Sequence, residues 1–311
     1  MILSRQIAAF AALITSASAS CSWRTFLEPY SASSAGHVPV STFNYTGEGG
    51  PLHWTGLNPI ANWQCGYDST QSPIAIDSQT IRYARKGTVK IDIPTARMAD
   101  FENLGSTVEV PASGKLTVKG KVYNLVQFHF HTPSEHRIDE EYSPMEIHFV
   151  FQRGKEPHIN LLNLKTVLAT NPLVVKEKSI AVVGFMVELS PYGRSTPLLT
   201  QVFANLHKIS TPGSVTKIRQ LDFSSVADSL HKNDIFTYTG SLTTPPCSNK
   251  ISWYISAAPL SLDVVTFNAV KKVVKFNSRY TQNTLGRVNL LEVAAGDIGC
   301  AKSQMRVQSD P

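Results

Sequence analysis

Gln127-Phe128-His129-Phe130-His131, preceded by Leu125-Val126, alternates polar and aromatic side chains. In a β-strand successive side chains point to opposite faces, so Gln127, His129 and His131 share one face. Val126, Phe128 and Phe130 take the other face and can anchor the strand in a core. A second run, Glu146-Ile147-His148-Phe149-Val150, repeats the pattern and places Glu146, His148 and Val150 on one face. A bare His-x-His arises often by chance; a second strand that adds a third imidazole beside a carboxylate does not. Three histidines suit tetrahedral zinc with the fourth position kept for water. A ligating histidine donates its other N–H to an acceptor, and Gln127 and Glu146 stand ready on the same faces.

Outward from these two strands, the chain from Phe43 to about Leu291 alternates strand-like runs with turn signals. Residues 107–110, 115–118 (with Gly120 at a turn) and 122–131 read as successive strands, and residues 145–151 and 180–187 as two more. Helical segments are few. Pro197 after Thr196 suits a first helical position, with Leu198, Val202, Phe203 and Leu206 along one face. Ser261 is expected to cap a second helix carrying Val265, Val270 and Val273. No internal repeat is visible, so the expected architecture is a β-dominated single domain with peripheral helices.

Composition narrows the function classes. With 42% hydrophobic residues in 311, the chain can bury a large core. No apolar run reaches the ~18 residues of a membrane span, and composition also excludes a collagen and a disulfide miniprotein. The net charge of +6 is modest, and its densest patch, Lys271, Lys272 and Lys275, lacks interleaved aromatics. It reads as a solvated helix face, so no nucleic-acid partner is expected.

Residues 1–20 read as a secretory signal: Arg5 near the start, an apolar stretch from Ile7 to Ile14, and cleavage near Ala19. Residues 21–41, rich in Ser and Ala, form an expected loose arm, and 296–311 an expected tail. Export places the protein outside the cell, or in the periplasm of a bacterium. Asn44-Tyr45-Thr46 is an N-glycosylation sequon, with Asn44 the acceptor. Four cysteines (Cys21, Cys65, Cys247 and Cys300) allow three pairings, and spacing alone does not choose among them.

Taken together, several stretches resemble the α-class carbonic anhydrases. They are Gln127-Phe128-His129-Phe130-His131, Ser134-Glu135-His136, Glu146-Ile147-His148, and Gly240-Ser241-Leu242-Thr243-Thr244-Pro245-Pro246-Cys247. Gly50-Pro51-x-x-Trp54, Gln71-Ser72-Pro73-Ile74 and Asn277-Ser278-Arg279 support them. The resemblance implies a mainly β catalytic domain over residues 42–295, built on a large, twisted, mostly antiparallel sheet with a few short peripheral helices. It implies one Zn2+ per chain, held by His129, His131 and His148 with Gln127 and Glu146 behind them. Thr243 resembles a gate whose hydroxyl accepts from zinc-bound hydroxide and donates to Glu135. Val150, Val182, Leu242 and Trp253 resemble the wall where carbon dioxide waits, with Thr244 beside it, and Tyr45 and Tyr238 the surrounding network.

The activity so implied is reversible hydration of carbon dioxide to bicarbonate and a proton. Ser106 stands where the fastest family members carry a proton-shuttling histidine, so proton release is expected to be slow. Cys65 and Cys247 match a bridge typical of exported members; Cys21 and Cys300 then pair together or link two chains into a dimer. Residues 152–179 depart as a longer surface loop. Two rival functions fit the sequence less well. A silent binding module on the same fold would lack ligand histidines, and all three are present. A zinc esterase is chemically reasonable, but no His-Glu-x-x-His helix or separate base appears.

Overall fold

A computed structural model of the chain describes residues 37–153 and 180–298. The expected signal, most of the arm, Cys21, Cys300, the tail beyond 298 and nearly all of the 152–179 loop lie outside the described residues. In chain order the strands begin with β1 (Ala75–Ile76), β2 (Tyr83–Ala84), β3 (Val89–Asp92), β4 (Ala96–Asn103) and β5 (Val108–Pro111). Next come β6 (Lys115–Val118), β7 (Lys121–His131), β8 (Arg137–Ile138), β9 (Glu141–Tyr142) and β10 (Met145–Gln152). The last four are β11 (Ile180–Leu189), β12 (Val215–Leu221), β13 (Ile235–Gly240) and β14 (Ile251–Leu262). Helices α1 (Trp54–Leu57), α2 (Trp63–Tyr67), α3 (Pro197–Phe203), α4 (Ser224–Lys232) and α5 (Val264–Val274) are short.

The main sheet has the path β12-β4-β5-β7-β10-β11-β14-β13-β2, with β3 and β6 paired beside β7. Its neighbours are antiparallel except at the centre, where β11 and β14 run parallel, so the sheet is mixed. Strand β11 is a nearly continuous apolar run, as a strand buried on both faces must be. A small sheet, β1-β8-β9, lies apart.

Side-chain alternation divides the sheet into two chemically different faces. Phe128 and Phe130 of β7, Ile147, Phe149 and Phe151 of β10, and Val183 and Phe185 of β11 join the larger core. There they meet Leu198 and Val202 of α3, Val226 and Leu230 of α4, and Val270 and Val274 of α5. Each such side chain contributes about 1.5–3 kcal/mol by leaving water. The opposite face carries the histidines and a smaller apolar cluster around Val150, Val182 and Trp253.

Ser261 is not a helix cap: it lies within β14, paired with Glu188 of β11. Asp263 caps α5, its carboxylate accepting the Thr266 N–H at 2.8 Å. The helix phase shifts accordingly, so Val270 and Val274 are buried, Val273 is half-buried, and Val265 is 81% exposed. Around α3 the expected face holds, although Leu206 falls in the 3-10 turn Leu206–Ile209 that follows.

Candidate metal centre

Strand register brings the three histidines together. Across the β7–β10 pair, His148 is the register partner of His129, and Glu146 that of His131. Directly opposed residues in such a pair hold their Cβ atoms about 4.5–5.5 Å apart, so three imidazoles on this face must meet. Their ring centroids lie 4.6–5.3 Å from one another. One ring nitrogen from each falls within 4.8 Å of the other two, and all three residues are buried.

The second nitrogen of each ring is already engaged. His129 Nδ1 lies 2.9 Å from Gln127 Oε1, and His148 Nε2 lies 2.8 Å from Glu146 Oε1. His131 Nδ1 lies 2.8 Å from the Asn277 carbonyl, a partner that sequence reasoning did not name. A backbone acceptor leaves no side-chain signature; only the Asn277-Ser278-Arg279 stretch hinted at the segment. His131 Nε2 and His148 Nδ1, the nitrogens left over, are buried and make no hydrogen bond. Orphaned imidazole nitrogens aimed at one another are what a metal ion satisfies, so the donor set fits a three-histidine zinc site.

Electrostatics agree. Burial, reinforced by His131 and His148, holds the His129 pKa well below its usual value. Burial and the neighbouring His148 bring His131 down to about 3, and burial also lowers His148. The rings are therefore neutral at pH 7, as metal ligands must be. Burial alone would raise Glu146, but His136 and His148 outweigh it and hold its carboxyl well below the usual range. A network extends from there. Glu146 Oε2 accepts the backbone N–H groups of Glu135 and His136 at 2.8 and 2.9 Å. Glu146 Oε1 also lies 2.7 Å from His136 Nδ1, whose Nε2 lies 2.6 Å from the Tyr238 hydroxyl. That hydroxyl is 2.8 Å from Ser72 Oγ, which accepts the Ser241 N–H at 3.0 Å. His136 thus ties the metal ligands to the loop bearing Leu242 and Thr243. Gly184, register partner of His148, leaves this corner open: a Cβ there would come within 3.5 Å of Glu146 Oε1.

Glu135 and Thr243 stand beside the triad. Glu135 Oε2 lies 3.4 Å from His131 Nε2, and its Oε1 accepts the Arg279 N–H at 2.9 Å. Burial drives the Glu135 pKa well upward, while Thr243 and the Arg279 N–H pull against that. The Thr243 and Thr244 hydroxyls and Glu135 Oε2 are buried without a full hydrogen bond. Val150, Val182, Leu242 and Trp253 form one apolar cluster, and the Trp253 ring lies 4.8 Å from that of His148. Tyr45 packs edge-on against Phe43 and Trp54, and its buried hydroxyl feels the charges of Glu135 and Arg279.

Ser106 lies in the turn between β4 and β5, buried, with its Oγ 2.5 Å from Ser41 Oγ. Its carbonyl accepts from Asn277 Nδ2 at 3.0 Å, two hydrogen bonds away from His131. Cys65 and Cys247 form a disulfide across 182 residues, packed with Trp54, Phe43 and Tyr45. Arg279 is fully buried between these parts. Its guanidinium donates to Gln71 Oε1 and to the carbonyls of Ser72 and Cys65, and lies over the Trp54 ring. The Asn44 side chain is exposed, its Oδ1 accepting the Thr46 N–H. Among the described residues no helix is long and apolar enough to cross a membrane.

A mixed sheet with three convergent histidines on one face and helices on the other defines a β-sheet protein with a site able to hold a metal. The family model of eukaryotic-type carbonic anhydrases matches residues 49–289. A solved structure of an α-carbonic anhydrase from Aspergillus oryzae is 47% identical, with a TM-score of 0.72, over 81% of this chain and 98% of that one. The carbonic anhydrase of Neisseria gonorrhoeae is 31% identical over 227 residues, 72% of this chain and 77% of that protein. Mus musculus carbonic anhydrase 1 is 28% identical, over 71% of this chain and 82% of its own length. The chain belongs to the α-class carbonic anhydrase family.

Proposed function

We propose that this chain is an exported, zinc-dependent enzyme that interconverts carbon dioxide and bicarbonate. One observation carries the reading: His129, His131 and His148 present convergent ring nitrogens in a buried site, each ring braced from behind. A bound Zn2+ supplies a Lewis acid that acidifies water at neutral pH. His129, His131 and His148 hold the ion as neutral ligands, which leaves its charge undiminished. Gln127, the Asn277 carbonyl and Glu146 fix which nitrogen of each ring faces inward.

Thr243 and Glu135 orient the reacting oxygen. With Oε1 occupied by the Arg279 N–H, Glu135 has Oε2 left to accept the Thr243 hydroxyl proton. Thr243 then has only lone pairs to offer, and so selects an oxygen that carries a proton. The apolar wall of Val150, Val182, Leu242 and Trp253 suits a small neutral substrate and keeps competing water away. Thr244 offers a further hydroxyl, while Tyr238 and Tyr45 steady the surroundings.

Proton export is the slow part. The Ser106 hydroxyl is tied to Ser41 and does not titrate near neutrality, so the proton passes directly to buffer. Export agrees with a signal at 1–20, a disulfide and an exposed Asn44 open to glycosylation. Residues 42–295 make the catalytic domain.

The test is stopped-flow hydration with purified protein. Activity is expected to vanish with a zinc chelator, to return with Zn2+, to be lost in His131→Ala, and to rise with imidazole-type buffer. A zinc-loaded wild type that hydrates no carbon dioxide, or a fully active His131→Ala, overturns the proposal.

A further inference from the structure

Strands β13 and β14 turn Tyr238 and Trp253, which are register partners, toward the metal face. Alternation then sends their neighbours to the reverse face, where Thr237 opposes Tyr254 and Thr239 opposes Ser252. The result is a two-by-two array of hydroxyl-bearing side chains. A cavity of about 410 Å³ opens over it. Its remaining walls come from the β6–β7 hairpin, including Tyr123 of β7, and from the start of β2, including Tyr83. Lys119, at φ 48°, and Gly120, at φ 75°, make that tip a tight reversal that brings Lys119 and Lys121 to the same opening.

The charge around this floor is one-sided. Arg82, Lys119 and Lys121 line the cavity and no acidic side chain does. Among the described residues none of the three forms an ion pair, whereas Lys86, Lys217 and Lys232 each have a carboxylate. Three uncompensated cations call for an anion, and a tetrahedral oxyanion has oxygens enough to meet all three where a carboxylate has two. The hydroxyl floor calls for a ligand that gives and takes hydrogen bonds. Tyr83, 47% exposed, offers aromatic surface on which C–H groups can pack. A nucleic-acid strand or membrane surface would need a longer basic track than these three side chains supply.

We propose that this cavity binds a sugar carrying a phosphate or sulfate ester. Arg82, Lys119 and Lys121 hold the ester oxyanion, while Thr237, Thr239, Ser252 and Tyr254 meet the sugar hydroxyls. Burial lifts the Tyr254 hydroxyl above its usual pKa of 10.0, so it remains a donor throughout the neutral range.

Calorimetric titration with glucose 6-phosphate, glucose 6-sulfate, glucose and inorganic phosphate tests this. At least one ester is expected to bind about tenfold more tightly than glucose or inorganic phosphate, and the better ester names the source. Lys119→Asn/Lys121→Gln should weaken ester binding about tenfold, since asparagine tolerates the left-handed backbone at position 119. Thr237→Val should weaken the esters and leave inorganic phosphate unchanged. Carbon dioxide hydration and far-ultraviolet dichroism should match wild type in all variants. Absence of ester binding at 10 mM, inorganic phosphate binding as tightly as the esters (an adventitious ion only), or unaltered ester binding by the folded double variant overturns the proposal.

Discussion

Glu146 Oε1 lies 2.8 Å from His148 Nε2 and 2.7 Å from His136 Nδ1, so one carboxylate oxygen serves two imidazoles. Its other oxygen takes the N–H groups of Glu135 and His136. All four donors need an acceptor, and only an anion with two equivalent oxygens accepts from all of them. Glu146→Gln replaces one oxygen with an NH2 donor aimed at existing donors. Zinc affinity should fall about 10–100-fold, as for other changes behind a metal ligand. Competition with a chromophoric chelator measures it; unchanged affinity in a folded variant would mean that Glu146 does not set the ligand ring.

Thr243→Val keeps the shape of the loop and removes the hydroxyl proposed to link Glu135 to the substrate oxygen. Zinc affinity should stay at the wild-type level, because no ligand brace passes through Thr243. Hydration should drop about 10²-fold, the cost expected of a misoriented nucleophile. Metal content and stopped-flow rate, measured together, separate this from simple loss of zinc.

The clustering of the three histidines was legible because period-two alternation on a half-buried strand is a strict code. A one-residue register shift of β7 would have turned His129 and His131 into the core and left His148 alone on the other face. Other parts could not be read in advance. Asn277 acts through its carbonyl, and His136 acquires meaning only when Tyr238, 102 residues away, closes on it. Ser261 and Asp263 are both good caps by chemistry. What decides between them is that Glu188 and Leu189 of β11 pair with Ser261 and Leu262, carrying the strand through the expected cap and one residue beyond it. Tertiary pairing overrode local propensity there.

Gly240 has no room for a side chain. A Cβ there would overlap the Ser72 hydroxyl and come within 2.6 Å of the Tyr238 ring. Gly240→Ala should therefore cost about 1–3 kcal/mol, the range for overpacking, even though its backbone is ordinary. Urea denaturation should show a lower midpoint with an unchanged slope. Stability equal to wild type would show that Ser72 and Tyr238 move aside freely.

The Cys65–Cys247 bridge joins the α2 segment to the loop just after Thr243. Replacing both cysteines by serine should cost about 2–5 kcal/mol, because a long unfolded loop is no longer closed. If the bridge also steadies Thr243, the hydration rate per zinc-loaded molecule should fall at temperatures where the variant is fully folded. A normal rate there would confine the bridge to stability.

Asp263 offers a test of pH dependence away from the metal. The Thr266 N–H, bonded to its carboxylate at 2.8 Å, lowers the Asp263 pKa from the ordinary 3.8, and Ser195 Oγ donates to the same group at 2.7 Å. A carboxyl whose folded pKa is depressed binds protons more readily when unfolded, so it stabilises the fold above pH 3.8. That contribution disappears as pH falls through the lower folded value. Asp263→Ala should cost about 1 kcal/mol at pH 7, the usual worth of a helix cap. Denaturant curves for the pair should draw together as pH falls below 3.8. A gap that stays constant down to pH 3 would assign the loss to packing and not to the charged cap.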